Sequence, residues 1–357
     1  MRINRLLLPM RFWDLLIDTM KRVAVVILNY NGASMLERFL PSVVEFSPEA
    51  DVVVADNAST DASLEYLKTN FSSLRVIELD RNYGFADGYN KALAQIDAEY
   101  YILLNSDVEV TDGWIAPLLS YMDKNGAVAA CQPKLLDYKN KSSFEYAGAA
   151  GGYIDRYGYP YCRGRIFDTV EKDMGQYDGV CNVFWASGAA MMIRSKDYWA
   201  VGGLDGHFFA HMEEVDLCWR LKARGSEICC VPESAVYHVG GATLDKANPR
   251  KTFLNFRNNL LMLYKNLPEE ELRHVMRVRA LLDYVAAFKF LLSGSVGDFK
   301  AVLKARKEYK RMRASYEDVR NDNIKKTVVH NPAGREPFML LWQYHACGRK
   351  FFNKLIK

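Results

Sequence analysis

Nowhere do about eighteen apolar residues run without interruption, so no membrane-spanning helix is expected. The leader MRINRLLLPMRFWDLLIDT comes nearest, but Pro9, Arg11, Asp14 and Asp18 break it, which argues against a secretory signal. Residues 1–20 read as an N-terminal extension, with translation expected to begin naturally at Met20. The seven cysteines are odd in number and show no C-x-x-C spacing, which excludes a disulfide framework and a zinc ribbon and suits reduced cytosolic thiols. The first strand is not followed by G-x-G-x-x-G, and no G-x-x-x-x-G-K-[ST] occurs, so dinucleotide-fold and P-loop readings lose their main support. Repeats and low-complexity tracts are absent. A net charge of +4 is too small to argue for nucleic acid as a partner.

What is there is regular. VAVVIL (23–28), DVVVAD (51–56), LRVIEL (74–79) and YYILLN (100–105) are short apolar, β-branched runs of the kind buried parallel strands require. Helical patterns over 34–44, 62–69 and 88–96 separate them, which predicts an α/β fold with a mostly parallel central sheet and helices on both faces. Each strand ends in polar residues: Asn29-Tyr30-Asn31-Gly32, Asp56-Asn57, Asn82-Tyr83-Gly84 after the third, and Asn105-Ser106-Asp107. The landmarks Asn29, Asp56, Asn82 and Asp107 lie 27, 26 and 25 positions apart, one βα unit each. Parallel strands bring such tips to one edge, where open α/β sheets bind ligands.

The chemistry of the tips narrows the ligand. Asp56 and Asn57 suit a ribose or a pyrimidine edge, and Gly84 and Gly88 let a ligand approach the backbone near a helix start. Asp107 offers hard oxygen to a divalent cation, which commonly adds phosphate oxygens to one or two carboxylates. Further on, Glu213, Glu214 and Asp216 place three carboxylates within four residues at a helix start, more than the helix dipole needs. Trp185, Tyr153 and Tyr157 fit either an acceptor platform or the core. His207 and His211 have H-x-x-x-H spacing but lack the glutamate of H-E-x-x-H, and read as pocket wall. After Pro268 the chain turns helical, and 300–313 carries seven cations against Glu308. This is either a solvated face or a surface for an anionic membrane.

The series ILNYNG, VVADNASTD, RNYGFADGYN, LLNSDVEV, ASGAAMMIR, FFAHMEEVDLCWRLKARG, YHVGGATL and NFRNN resembles the inverting family 2 glycosyltransferases of the A-type fold, especially their bacterial rhamnosyltransferase-like branch. The resemblance covers roughly 22–265. It implies a catalytic domain over 21–265, with a nucleotide-binding half (21–125) and an acceptor-binding half (126–265), followed by a C-terminal helical region (266–357). Asn29, Asp56 and Asn82 match contacts to base and ribose, with Asn31 and Asn57 grouped beside them. Asp107 matches the last Asp of the metal-binding D-x-D motif, whose first position here is Asn105, and His238 matches a histidine that completes a Mn²⁺ or Mg²⁺ site. Glu214 falls at the catalytic base, with Glu213 the close alternative. Asp216 would orient the helix or an acceptor hydroxyl and pair with Arg220. Arg257 would meet the diphosphate or pair with a surface acid.

The implied function is metal-dependent, inverting transfer of a sugar from dTDP-rhamnose or a UDP-sugar to a glycan or lipid-linked glycan acceptor in cell-surface polysaccharide synthesis. The expected location is cytoplasmic, with peripheral membrane contact through 281–313 and no nucleic acid partner. Two alternatives stand beside it, a catalytically silent nucleotide-sugar binding subunit and a sugar-phosphate nucleotidylyltransferase. The latter would need a basic, Gly-rich loop after the first strand, which NYNGASML does not supply.

Overall fold

The computed structural model describes residues 21–240 and 248–355. The expectations for residues 1–20 and for the Gly241–Leu244 end of the YHVGGATL motif lie outside them. The chain opens as β1 (Val23–Asn29), α1 (Ala33–Glu45), β2 (Ala50–Asp56), α2 (Ser63–Asn70), β3 (Arg75–Glu78), α3 (Gly84–Leu93) and β4 (Tyr100–Asn105). Strand β1 pairs in parallel with both β2 and β4, and β2 with β3. The register sets Asn29 opposite Asp56, and Asn105 opposite Leu28, so three polar tips share one edge.

The sheet then widens with β5 (Val108–Val110), α4 (Ile115–Lys124) and β6 (Val128–Asp137). A separate small sheet follows, with β7 (Gly152–Asp155), β8 (Pro160–Cys162), β9 (Arg165–Ile166) and β10 (Thr169–Val170). The chain rejoins the large sheet through β11 (Cys181–Asn182), β12 (Ala190–Arg194), the short helix α5 (Ser195–Ala200), α6 (Glu213–Ala223) and β13 (Glu227–His238). The order is β11-β13-β6-β12-β4-β1-β2-β3, with β5 on β13. Antiparallel pairing of β12 with β4 returns the chain to the tip edge just before Ala190. Parallel pairing of β13 with β6 carries His238 to the same region.

Each sheet face is apolar and covered by helices. One core joins Val25, Ile27, Val54 and Ile102 to Leu36, Leu40, Leu67 and Leu118 from α1, α2 and α4. The other joins Val26, Val53 and Leu103 to Tyr89, Leu93, Val215 and Leu217 from α3 and α6. Among the described residues all cysteines are free thiols, most of them buried.

Helices α7 (Pro249–Asn266), α8 (Glu269–Leu292), α9 (Val296–Met312) and α10 (Glu317–Lys326) follow, and β14 (Arg335–Glu336) pairs in parallel with β7. Phe352 reaches the Tyr153 ring of the small sheet at 5.0 Å. Helix α8 inverts the usual amphipathic rule. Its buried face carries Val275, Arg279, Asp283 and Ala287, with Asp283 bound by both Arg279 and Arg306, while Leu281, Phe288 and Leu292 face outward. No helix among the described residues is long and apolar enough to cross a membrane.

Candidate active site

The first three tips are stitched to one another. Asn29 Nδ2 donates to Asp56 Oδ1 (3.0 Å) and Ser59 Oγ (3.1 Å), while Asp56 Oδ2 accepts from Ser59 N (2.8 Å). Asn57 Oδ1 accepts from Tyr83 N, and its amide nitrogen donates to Asn82 Oδ1 (3.2 Å) and the Gly84 carbonyl (3.0 Å). Asn31, in the left-handed region at φ 51°, accepts from Thr60 N (2.7 Å). Asn29, Asp56 and Asn57 are buried, and Asn29 Oδ1 has no partner. A buried acceptor left open at a sheet edge suits a donor brought by a ligand. At Gly88 an added Cβ would lie 3.0 Å from Leu28 and 3.1 Å from Asn57 Nδ2, so only glycine fits without a shift.

Helix α3 begins at Gly84, four residues earlier than the expected pattern. The cause is tertiary: the Phe209 carbonyl accepts from Phe85 N (2.6 Å) and Ala86 N (3.2 Å), replacing a side-chain cap. Gly84 is at φ +75°, and a Cβ there would fall 2.5 Å from the Phe209 ring.

The fourth tip meets the end of β13. Asp107 Oδ1 lies 3.1 Å from His238 Nε2, and Asn105 Nδ2 lies 3.4 Å from the same nitrogen. Behind the ring, Glu145 Oε1 stands 3.3 Å from His238 Nδ1. All three ionisable groups are buried. Burial alone would lower the His238 pKa, but the Glu145 charge and the bond to Asp107 outweigh it and raise it to about 10. Burial likewise opposes ionisation of Asp107, yet His238 holds its carboxyl below the usual range. Among the described residues no group of three His, Cys, Asp or Glu is disposed to hold a metal ion. Sequence reasoning missed Glu145, which lies 93 positions from His238 in a segment with no motif.

Helix α6 starts with Glu213 and Glu214. Glu213 is buried and Glu214 partly so, and neither Oε2 has a partner. Burial, then the charges of Glu214 and Asp216, push the Glu213 pKa well up. Burial also raises that of Glu214, against backbone N–H groups that lower it. Glu214 adjoins the fourth tip, because a Cβ on Gly188 would come within 3.9 Å of Glu214 Cβ, and the next residue, Ala189, accepts from Asn105 N.

The segment leading into α6 is strained: Phe209, His211 and Met212 have φ of 67°, 70° and 71°, unusual for side chains of this size. Asn258 holds it, its Nδ2 donating to the carbonyls of Phe208, Ala210 and His211 at 2.8 to 2.9 Å. Arg257 donates to the His207 and Phe208 carbonyls and to Asn258 Oδ1, so its guanidinium is committed to this loop. The N-F-R-N-N run suggests Arg257 for a diphosphate or a surface acid and gives no sign of the role of Asn258. His207 pairs with Asp205 and is largely exposed, whereas burial, then the charge of Lys251, lowers the His211 pKa to about 4 and leaves that ring neutral.

Asp216 is fully enclosed. It accepts from Arg220 Nε, Lys265 Nζ and Asn266 Nδ2, each at 2.9 Å, and Lys265 also binds Asp205 (2.6 Å). The carboxylate therefore fixes α6 against α7 rather than facing a cleft. Asp216→Ala would leave buried cations uncompensated and should cost about 3–5 kcal/mol in denaturant unfolding. Trp185, Tyr153 and Tyr157 are buried, with the Trp185 indole donating to the Tyr153 carbonyl (3.0 Å), and belong to the core.

Comparison with known proteins gives a family likeness and a shared fold. The family model "Glycosyl transferase family 2" matches residues 24–199. An N-acetylglucosaminyl-diphospho-decaprenol L-rhamnosyltransferase of Mycobacterium tuberculosis is 27% identical over 229 residues, covering 60% of this chain and 75% of the relative. Rhamnosyltransferase WbbL of Escherichia coli is 22% identical over 223 residues, covering 60% and 83%. The crystal structure of GalNAc-T7 with UDP, GalNAc and Mn²⁺ superposes with a TM-score of 0.54 at 17% identity, over 84% of this chain and 57% of that one.

Proposed function

Because this chain is a glycosyltransferase of family 2, we propose that it moves a rhamnosyl or hexosyl unit from dTDP-rhamnose or a UDP-sugar to a glycan on a lipid carrier, with inversion at the anomeric carbon. The observation that carries this reading is the pair Glu213 and Glu214: raised carboxyls with unpartnered oxygens, set at the same fold edge as strand tips that leave the buried acceptor Asn29 Oδ1 open. Asn29, Asn31, Asp56, Asn57 and Asn82 would hold base and ribose. The catalytic domain is taken as 21–265, and the acceptor is met at the inner face of the membrane, with peripheral contact through 281–313.

Asp107 and His238 would fit a divalent cation that displaces the Nε2 proton now held between them, since a carboxylate oxygen and a deprotonated imidazole nitrogen 3.1 Å apart are suitable donors for Mn²⁺ or Mg²⁺, with Asn105 alongside. A cation bound there would act as a Lewis acid toward the departing diphosphate. Glu145 would accept the Nδ1 proton of His238 and keep Nε2 facing Asp107. Glu145→Gln should accordingly weaken Mn²⁺ binding by roughly 10- to 100-fold, read by electron paramagnetic resonance titration. Glu214 takes the proton of the attacking acceptor hydroxyl, its raised pKa bringing it nearer to a useful base strength. Asn258 and Arg257 hold the loop that aims it.

The direct test is a panel of nucleotide sugars with Mn²⁺ or Mg²⁺, scored for binding and for transfer to lipid-linked glycans. If no nucleotide sugar bound in the presence of either ion, the reading would be rejected.

A further inference from the structure

A water-facing apolar stripe runs along α8 where a globular protein should present charge. Leu281, Phe288 and Leu292 are 66%, 58% and 73% exposed, and Tyr284, Val285 and Leu291 fill the turns between them. Their spacing of three and four residues puts them on one helical face, opposite the buried Arg279 and Asp283. Exposed apolar surface of this extent marks an interaction site. Val296 and Leu303 of α9 are exposed as well.

The neighbouring surface is cationic. A cleft of about 460 Å³ between the starts of α7 and α9 is lined by Arg250, Lys300 and Lys304 around Pro249, Phe253 and Gly297. Lys307 and Lys310 extend the charge along α9, and among the described residues no acid lies within ion-pair distance of Lys300, Lys304, Lys307 or Lys310. This cleft also borders the catalytic loop, because the Arg250 guanidinium lies over the Phe209 ring at 4.7 Å, and Phe209 caps α3 and leads into α6.

We infer that the α8–α9 hairpin is a monotopic docking face for an anionic phospholipid bilayer: the apolar stripe enters the interface, and Arg250, Lys300 and Lys304 seat a lipid phosphate. Apolar insertion combined with cation–headgroup attraction is the established physical basis of such binding. The charge complementarity selects a bilayer over a second copy of this chain, whose same face would bring like charges together. Docking in this orientation presents the Phe209–Glu214 segment to a glycan carried at the membrane surface. The membrane-borne acceptor rests on the function proposed above; the docking face itself rests on the stripe and the cleft.

The test uses the full chain and sedimentation with vesicles of phosphatidylcholine, with and without phosphatidylglycerol. Binding is expected only to the anionic vesicles. Lys300→Ala/Lys304→Ala should weaken it by about thirtyfold, and Leu281→Ser/Phe288→Ser/Leu292→Ser should abolish it, while both variants keep wild-type melting and nucleotide binding. Equal binding to neutral vesicles, no loss in either variant, or a dimer that the serine variant dissociates without any vesicle binding would each overturn the inference. Nucleotide binding is measured without vesicles, so its failure would count against the proposed function and leave the docking result standing.

Discussion

Glu214→Gln should lower transfer to the acceptor by about 10²- to 10⁴-fold while nucleotide-sugar and metal binding stay unchanged. The amide keeps the shape of the side chain and its helix position but cannot take a proton. The sign of the pH dependence follows from the raised pKa. A base must be ionised to act, so wild-type kcat/KM should fall with decreasing pH through a midpoint above the usual glutamate value of about 4.3. The Gln variant should lack that limb. Glu213→Gln separates the two candidates: buried deeper and further from an ionised state, Glu213 should be the more tolerant position. Wild-type-like rates in Glu214→Gln together with collapse in Glu213→Gln would exchange their roles.

Asp107→Ala should abolish measurable Mn²⁺ binding and reduce transfer on the order of 10³-fold, since Lewis-acid assistance to a leaving diphosphate is worth several kcal/mol and each 1.36 kcal/mol is tenfold. With Asn105 in the first motif position, Asp107 is the one carboxylate of that tip, and the next acid along the chain, Glu109, is paired with Lys141. His238 would remain beside Glu145 and could retain a proton there. Asp107→Asn controls for folding, and should unfold like the wild type while showing the same loss of metal. Retention of full metal affinity by either variant would remove Asp107 from the site.

Much of this was legible in the sequence, for identifiable reasons. Buried parallel strands cannot be other than apolar, and polar tips at one-unit spacing had to converge once the strands ran parallel, as the Asn29 to Asp56 register shows. The carboxylates of α6 stood out because three in four residues exceed what the helix dipole needs, although one of them, Asp216, is a buried anchor. What stayed hidden depends on contacts between distant segments. Nothing local marks Glu145 as the neighbour of His238, or Phe209 as the cap of α3. The left-handed conformations of Phe209, His211 and Met212 are imposed by Asn258 from α7 and run against residue preference. Trp185, Tyr153 and Tyr157 could not be divided between core and platform until the return of Phe352 and β14 enclosed that sheet.

The ring of bonds around Asp216 has a practical bearing on recombination between relatives. Lys265 and Asn266 come from α7, Asp205 from the loop ahead of α6, and Tyr316 closes on Asp205 from beyond α9. The matched family segment ends at 199, upstream of every member of this ring. A chimera that exchanges everything after that point would keep the ring and the proposed base Glu214 together, but would part His238 from Asp107 and Glu145, and Phe209 from the helix it caps. One spliced within α7 or α9 would pair half a ring with a stranger and lose the footing of the helix that carries the proposed base.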